Sequence, residues 1–377
     1  MKRQPLGKQL KLDQPAKIDK YFRAAIKALA SDLHLKGGQL PRMRVGGFLK
    51  QTTGSALSEE DLEKLIFEIF TPEQKDFFLE NGALDFAYDM GGVDRFRINI
   101  YRSRGHMALA ARRVMSAIPE FKSLHLPETI LKIAEAQQGL VLVTGITGCG
   151  KSTTIASMLD YINHHRPCHI ITVEDPIEYI FQDDKALVSQ REIGVDVTTF
   201  EDALRSLMRE DPDVVFIGEI RDYDTLTAGL RAAETGHLVF ATLHSTDAYQ
   251  TVARLLDLTP QVERWLVRQA LVGNLKASIS QRLLPTICPE PARVPAVEIM
   301  ISDTMIRKLI AEEREMEIPT VIKSSYSEGM IDYTESLRRL IENELIDLKT
   351  GYAYAPNPEE LKMALKGIRS ASGGLIG

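Results

Sequence analysis

Apolar and polar residues alternate in two different ways along this chain of 377 residues. Before residue 118, segments such as 84–88 and 95–101 alternate apolar and polar positions, which is typical of half-buried strands, and 62–69 has the apolar spacing of an amphipathic helix. After Ile130, continuous apolar runs alternate with amphipathic helices, which predicts a parallel sheet covered by helices on both faces. The runs predicted to be its strands are 140–143, 170–173, 214–217, 238–242 and 296–300.

Together the two patterns predict an α/β fold, in which a small α+β domain precedes a parallel-sheet domain and a mostly helical region follows it. A segment bounded by prolines separates the first two parts. The predicted boundaries are a flexible tail at 1–16, the α+β domain at 17–117, a linker at 118–129, the parallel-sheet domain at 130–300, the helical region at 301–369 and a disordered Gly/Ser tail at 370–377.

The run LVLVTGITGCGKSTT at 140–154 joins the first parallel strand to a helix and fits the phosphate-loop pattern G-x-x-x-x-G-K-[ST]. Its glycines let backbone N–H groups point at a triphosphate, and the helix N-terminus adds partial positive charge. Lys151 can reach the β- and γ-phosphates, and the Ser152 hydroxyl suits Mg²⁺. A chance match is the alternative, and the strand–loop–helix context makes it rare. The predicted nucleotide-binding residues of the loop are Gly145, Thr147, Gly148, Cys149, Gly150, Lys151, Ser152 and Thr153.

Three further segments carry acids or histidines where a predicted strand ends, and ligands of parallel sheets bind at that edge. In ITVEDPIEY (171–179), Glu174 and Glu178 are candidates for the carboxylate that orients or deprotonates the attacking water. A solvated acidic turn is the other interpretation of this segment. In DPDVVFIGEIRD (211–222), Glu219 ends an apolar strand as a Walker B acid does. The usual aspartate is absent there, so we expect Glu219 to reach Mg²⁺ through water, with Ser152 and phosphate oxygens as direct ligands.

The third segment, TGHLVFATLHS (235–245), has a histidine at each end of a strand. Seven residues of extended chain span roughly 23 Å, so His237 and His244 cannot share one metal ion. His244 lies past the carboxyl end of the strand, where it can sense the γ-phosphate. For His237, a structural hydrogen bond is the competing interpretation.

The composition is that of an ordinary globular protein, with 44% hydrophobic and 26% charged residues. A net charge of −6 offers no electrostatic case for binding nucleic acid, so no nucleic-acid partner is expected. No apolar run approaches the roughly 18–20 residues of a membrane span. The three cysteines, Cys149, Cys168 and Cys288, are too few for a four-cysteine zinc site and suit a reducing compartment.

The segments GITGCGKST, VEDPIEY, DPDVVFIGEIRD and TGHLVFATLHS resemble the hexameric ATPases of the secretion superfamily. Within it they are most similar to the twitching-motility branch that retracts type IV pili, the PilT-like proteins. ASDLHL and RFRINIY resemble the PAS-like N-terminal domain of that branch, and QRLLP (281–285) with AVEIM (296–300) resembles the end of its RecA-like ATPase domain. MIRKLIAE (305–312) is similar to the branch's C-terminal helix signature.

The resemblance implies roles for individual residues. It makes Glu178 the general base, Glu219 the Walker B acid, and His237 and His244 the residues of the His box. It also implies that arginines of the N-terminal domain meet the γ-phosphate, where surface charge on a strand and a helix is the competing interpretation. The arginines in the matching stretch are Arg97, Arg112 and Arg113.

The resemblance further implies a homohexamer that hydrolyses ATP with Mg²⁺ and drives pilus retraction. The implied partners are the inner-membrane platform protein of the type IV pilus and a paralogous retraction ATPase, and the implied location is cytoplasmic, docked peripherally at the inner face of the cytoplasmic membrane. Cys149 departs from the branch, which usually has a small hydroxyl residue there. The segment 305–312 also departs from the commoner alanine-first signature. It has apolar residues at helical spacing, with Arg307 and Lys308 on the other side, and is interpreted either as ordinary packing or as a coupling element.

Three alternatives remain open at this point. One is a pilus-extension or type II secretion assembly ATPase, a class that usually carries an extra N-terminal domain and a four-cysteine zinc loop, neither of which is expected here. Another is an accessory paralogue that binds ATP and hydrolyses it weakly, since it would carry the same acids. The last, from another class, is a RecA-like nucleic-acid motor, which would call for a basic groove or an aromatic stacking platform.

Overall fold

A computed structural model describes residues 14–90, 94–114 and 118–368 of the chain. The chain forms two compact units. The first comprises the residues up to Ala117 together with Asp175–Ile180 and Arg191–Thr199, and the second comprises Ile118–Glu174, Phe181–Gln190 and the residues from Phe200 onward. The predicted disordered tail at 370–377, and the predicted flexible tail apart from residues 14–16, lie outside the described residues.

The first unit is built on a six-stranded antiparallel sheet with the strand order β3-β2-β1-β6-β5-β4. Helix α3 begins with a reciprocal cap, because the Thr71 side chain accepts from the backbone of Gln74 and the Gln74 side chain accepts from the backbone of Thr71. The elements of this unit are α1 (Asp19–Lys27), β1 (Asp32–Lys36), β2 (Arg42–Val45), β3 (Phe48–Gln51), α2 (Glu59–Glu68), α3 (Pro72–Asn81), β4 (Ala83–Asp89), β5 (Arg95–Ser103) and β6 (His106–Val114).

A seven-stranded sheet forms the second unit, with the order β13-β12-β7-β11-β10-β8-β9. The four strands β7, β11, β10 and β8 run parallel, β12 runs parallel to β7, and β13 is antiparallel to β12. Every residue of β7, β10 and β11 is buried, which explains their continuous apolar sequences. The strands are β7 (Gly139–Thr144), β8 (His169–Glu174), β9 (Leu187–Glu192), β10 (Val214–Ile217), β11 (Leu238–Leu243), β12 (Leu275–Pro285) and β13 (Arg293–Ile301).

Helices follow most of these strands, and a group of five helices ends the described chain. No helix among the described residues is long and apolar enough to cross a membrane. The helices are α4 (Thr129–Ala134), α5 (Lys151–His165), α6 (Phe200–Leu207), α7 (Tyr223–Glu234), α8 (Ala248–Asp257), α9 (Arg264–Asn274), α10 (Thr304–Ala311), α11 (Ile318–Ser324), α12 (Tyr333–Glu342), α13 (Leu348–Tyr354) and α14 (Pro358–Leu365).

The five strands predicted after residue 130 are confirmed as strands, and so is the helix after the phosphate loop. The run 296–300 is wrongly assigned to a parallel sheet, because it lies in β13, which is antiparallel to β12. The connection between β12 and β13 is too short for the crossover that parallel strands need. Strands β9 and β12 were not predicted, because their sequences LVSQRE and LKASISQRLLP mix polar residues with apolar ones and lack a clean period. One expectation for the arginines is wrong. Arg112 and Arg113 both lie in strand β6, so neither is on a helix.

Helix α10 also differs from the prediction in its exposed face. Ile306, Leu309 and Ile310 are buried as expected, but Met305 is 50% exposed. Arg307 is half-buried, and its Nε is enclosed without a hydrogen-bond partner among the described residues. Lys308 is therefore the basic side chain of this helix that faces solvent, because its side chain is 60% exposed.

Candidate nucleotide-binding site

The phosphate loop runs from the end of β7 to the start of α5, where the chain must turn sharply. Gly145 and Gly150 have φ angles of 142° and 92°, a region that residues with a Cβ rarely adopt. A Cβ at Gly145 would lie 2.5 Å from the Cys149 Sγ and would also meet the Gln281 carbonyl oxygen. Both loop glycines of the sequence motif are thus required by backbone conformation, and a Cβ at Gly145 would also clash with the backbone of a neighbouring strand.

The loop lysine is buried, with only 9% of its surface exposed. Lys151 Nζ donates to the carbonyl oxygens of Gly145, at 2.9 Å, and of Ile146, at 3.2 Å. Its charge is therefore held at the centre of the loop. Of the other loop residues, Thr147 and Gly148 are exposed, while Ser152 and Thr153 are half-buried on the first turn of α5. This arrangement has the hydroxyl, ammonium and helix N-terminus that a polyphosphate requires.

Cys149 lies inside the loop and is only 2% exposed. Its burial raises the pKa of the thiol above the ordinary value of 9.0, although the positive charge of Lys151 acts in the opposite direction. A raised pKa leaves the sulfur as the unreactive thiol. The buried Cys149 side chain therefore fills space inside the loop in this structure.

Beside the loop's strand, the carboxylate of Glu219 and the ring of His244 meet at the carboxyl edge of the sheet. Glu219 follows β10 and His244 follows β11, which are adjacent parallel strands. Glu219 Oε1 lies 3.0 Å from His244 Nε2, and Glu219 Oε2 accepts from Arg221 Nε at 2.6 Å. The sequence prediction that these motifs share one edge of the sheet is confirmed for this pair.

The backbone explains why Glu219 is held at that edge. The N–H of Gly218 donates to the Val173 carbonyl at 2.8 Å, and the Gly218 carbonyl accepts from the Thr242 hydroxyl at 2.5 Å. The N–H of Ile220 donates to the Thr242 carbonyl at 2.9 Å. The residues on both sides of Glu219 are thus hydrogen-bonded to the neighbouring strands β8 and β11, which fixes the position of the Glu219 backbone.

Glu174 lies at the same carboxyl edge of the sheet as Glu219, because β8 runs parallel to its neighbour β10. Glu174 is the last residue of β8 and is buried, and it accepts a hydrogen bond from the Thr172 hydroxyl at 2.7 Å. His237 lies at the opposite end of β11 from His244, and its Nδ1 lies 2.8 Å from the Ala232 carbonyl oxygen and 3.0 Å from the Thr235 hydroxyl. That geometry favours the structural interpretation of His237. Glu178 is exposed and belongs to the first unit, whereas the phosphate loop belongs to the second.

Two of the three candidate arginines are paired with carboxylates of the first unit. Arg112 Nε donates to Asp32 at 2.9 Å, and Arg113 Nε donates to Asp94 at 2.8 Å. Burial acts to raise the pKa of Asp32, but hydrogen bonds from Arg112 and Ser31 outweigh it and the pKa is lowered. Arg97 is exposed and lies opposite Arg112 in the register of β5 and β6.

Comparison with known proteins shows which family this chain belongs to. The family model described as type II/IV secretion system protein matches residues 120–340. The chain is 40% identical over 342 residues to the type IV pilus retraction ATPase PilT of Pseudomonas aeruginosa, a match that covers 91% of this chain and 99% of the relative. The chain belongs to this family of secretion ATPases. A twitching motility protein of Neisseria gonorrhoeae is 39% identical over 321 residues, covering 85% of this chain and 86% of the relative.

A solved structure agrees with this membership of the secretion ATPases. The crystal structure of the pilus retraction motor PilT with bound ADP superimposes with a TM-score of 0.84 at 43% identity, covering 92% of this chain and 99% of that one. These matches confirm three predictions: the resemblance to the retraction branch, the α/β parallel-sheet ATPase fold, and ATP hydrolysis as the activity. Nucleotide binding follows from membership of an ATPase family.

The two residues predicted to hold Mg²⁺ in this secretion ATPase, Ser152 and Glu219, carry oxygen donors. Among residues 14–90, 94–114 and 118–368, no cluster of three or more His, Cys, Asp or Glu side chains is arranged to hold a metal ion. Mg²⁺ with a nucleotide needs no such cage, because it keeps waters and takes phosphate oxygens with one or two protein oxygens. The Ser152 hydroxyl and the Glu219 carboxylate are oxygen donors of the right type.

Sequence reasoning missed two residues that the structure connects to the site. Arg221 stands within the DPDVVFIGEIRD motif but was given no role, and it holds one oxygen of Glu219. Gln281 begins the QRLLP segment and hydrogen-bonds to both ends of the loop–helix junction. Gln281 could have been noticed as a polar residue next to the apolar residues of QRLLP, but strand β12, which carries it, was not predicted.

Proposed function

We propose that this chain is a homohexameric motor that hydrolyses Mg·ATP to retract type IV pili. The observation that carries the proposal is a buried loop lysine and a Glu219–His244 pair that follow parallel strands of one sheet, on a chain that matches almost the whole length of a retraction ATPase. Its site of action is the inner face of the cytoplasmic membrane, where its partners are the inner-membrane platform protein and a paralogous retraction ATPase. The domain boundaries proposed from the sequence are a PAS-like domain at 17–117, a linker at 118–129, a RecA-like domain at 130–300 and a helical region at 301–369.

In the proposed mechanism, backbone N–H groups of residues 145–153 and the N-terminus of α5 receive the phosphates. The Lys151 ammonium exchanges its two loop carbonyls for phosphate oxygens and balances the charge that develops on the γ-phosphoryl group. Ser152 and, through water, Glu219 would hold Mg²⁺, which would supply positive charge to neutralise the nucleotide phosphates. Arg221 fixes one Glu219 oxygen and so sets the orientation of the carboxylate.

Glu178 is the proposed general base, and Glu174 is the alternative acid on the same segment. His244 is proposed to sense the γ-phosphate, because its contact with Glu219 joins the ends of two adjacent strands at the phosphate-loop edge. Arg97, Arg112 and Arg113 are proposed to contribute positive charge to the transition state. For Arg112 and Arg113 this requires that the phosphate compete with the carboxylates they now contact. Identical subunits that pack head to tail, through heterologous interfaces, form a closed ring when the rotation between neighbours adds up to a full turn. The proposed homohexamer is such a ring.

The test compares wild type with Lys151→Ala, and uses Lys362→Ala, an exposed lysine of α14, as the matched control. We expect Mg-dependent ATP hydrolysis in wild type and in the control, no hydrolysis in Lys151→Ala, and the same far-UV circular dichroism in all three. In cells that lack a retraction ATPase, wild type and the control should restore twitching. Hydrolysis by Lys151→Ala at the wild-type rate would show that the site is wrong, and hydrolysis without restored twitching would remove the retraction function.

A further inference from the structure

Gln281 lies where β12 extends past the strand that leads into the phosphate loop. β12 runs parallel to β7, and the last paired positions are Ser280 and Thr144, whose hydroxyl oxygens lie 2.8 Å apart. Gln281 is the next residue of β12, so it stands level with the start of the loop. Its side chain is buried, with 3% of the residue exposed.

Both ends of the Gln281 amide are hydrogen-bonded across the loop–helix junction. Nε2 donates to the carbonyl oxygen of Cys149 at 2.6 Å, and Oε1 accepts from the hydroxyl of Thr154 at 2.8 Å. A carbonyl can only accept, so the contact with Cys149 fixes which end of the amide faces the loop. The side chain therefore bridges the last turn of the loop and the first turn of α5.

The contact with Cys149 also fixes the direction of a loop N–H group. In a trans peptide the C=O and the following N–H point to opposite sides. Because the Cys149 carbonyl points to Gln281, the N–H of Gly150 points away from Gln281. Gly150 precedes Lys151 at the helix N-terminus, where loop N–H groups face phosphate in a phosphate loop.

The fit between Gln281 and the loop is close. A Cβ at Gly150 would lie 2.7 Å from Gln281 Nε2, so the amide occupies the space that any side chain at position 150 would need. Gly150 has a φ of 92°, and a hydrogen bond on the preceding carbonyl holds the peptide in that orientation. An apolar side chain at position 281 would leave the Cys149 carbonyl and the Thr154 hydroxyl without their hydrogen bonds to Gln281, and burial makes such a loss costly in free energy.

We propose that Gln281 is a positioning residue that holds the phosphate loop in the shape that receives a polyphosphate. It touches no phosphate itself and acts through the Cys149–Gly150 peptide and through Thr154. The inference rests on the proposed nucleotide site. Without Gln281 the loop samples other shapes, and the apparent affinity for nucleotide falls in proportion to the fraction of molecules whose loop keeps the binding-competent shape. Once phosphate engages the N–H groups it orders the loop, so the catalytic step at saturating ATP is largely retained.

The test uses Gln281→Met, which keeps the length of the side chain and removes both hydrogen bonds, and Thr154→Val, which removes one. The matched control is Ser278→Ala, a buried polar residue of the same strand whose hydroxyl bonds to Thr251 at 3.4 Å. The measurements are the Kd for ADP by titration calorimetry, KM and kcat for Mg·ATP, and the thermal midpoint. Lys151→Ala is measured beside them.

For Gln281→Met we expect the ADP Kd and the ATP KM to rise about tenfold while kcat changes by less than about twofold. Thr154→Val should raise the ADP Kd and the ATP KM by less. The variant that combines Gln281→Met with Thr154→Val should resemble Gln281→Met, because the hydrogen bond to Thr154 is already lost in Gln281→Met. Normal affinity in Gln281→Met, with weakened binding in Lys151→Ala, overturns the positioning role and leaves the site intact. Equal rises in Gln281→Met and Ser278→Ala with equal losses of thermal midpoint also overturn it. Unchanged nucleotide binding in Lys151→Ala overturns the proposed site and this role with it.

Discussion

Glu298 carries a buried carboxyl group whose titration should be visible in the stability of the protein. It lies on β13, is 9% exposed, and its Oε1 accepts from the backbone N–H of Ala248 at 2.7 Å, at the start of α8. Burial raises the pKa of Glu298 from 4.5 to about 7, against the lowering effect of the Ala248 hydrogen bond. The nearby negative charges of Asp247 and Asp332 act in the same direction as burial.

The sign and size of the effect follow from that shift. Because the folded chain holds this proton more tightly than the unfolded chain, the free energy of unfolding falls as the pH rises from 4.5 to about 7, and then levels off. At 1.36 kcal/mol per pKa unit, the whole loss is about 3 kcal/mol. In Glu298→Gln the amide oxygen can still accept from Ala248 and no longer titrates. The variant should therefore be more stable than wild type above pH 7, by up to about 3 kcal/mol.

The assay is urea unfolding between pH 5 and pH 8.5, followed by the fluorescence of Trp265, the single tryptophan of the chain, which lies in α9 of the same unit. The exposed Glu234→Gln on α7 is the control for loss of one surface charge. We expect the difference in unfolding free energy between Glu298→Gln and wild type to grow from pH 5 to pH 7. Parallel pH profiles for the two proteins would refute the reasoning, since they would show that Glu298 titrates alike in the folded and unfolded chain.

Three further outcomes are expected. Glu178→Gln should bind ATP normally and lose hydrolysis, because an amide cannot take a proton from water; normal turnover in a steady-state assay would move the base to Glu174. Cys149 should be alkylated in the native protein much more slowly than Cys288, as read by peptide mass spectrometry, because it is buried with a raised pKa; equal rates would contradict its packing in the loop. Lys308→Ala should keep ATPase activity and hexamer mass but abolish twitching, and normal motility would make α10 a purely structural helix.

The parts of the fold that the sequence predicted are those where burial is continuous. Strands such as β7, β10 and β11 are buried at every residue, so an uninterrupted apolar run identifies them. The meeting of Glu219 and His244 could be predicted from the same pattern, since parallel strands end at one edge. β12 could not, because the serines and Gln281 inside it are buried polar residues whose partners are distant in sequence. The carboxylates that pair with Arg112 and Arg113 were hidden for the same reason, as cross-strand and long-range contacts have no local signature.

The contacts of Lys151 bear on how tightly the loop can hold a nucleotide. The ammonium donates to two loop carbonyls, so a phosphate that binds replaces existing hydrogen bonds and a phosphate that leaves allows them to form again. The buried Lys151 ammonium thus has hydrogen-bond partners both with and without bound phosphate. A buried charge without partners would cost several kcal/mol. Nucleotide affinity then depends on the difference in free energy between two states in which Lys151 is hydrogen-bonded. Product leaves such a loop more easily than it would leave a loop whose lysine had no partners when empty.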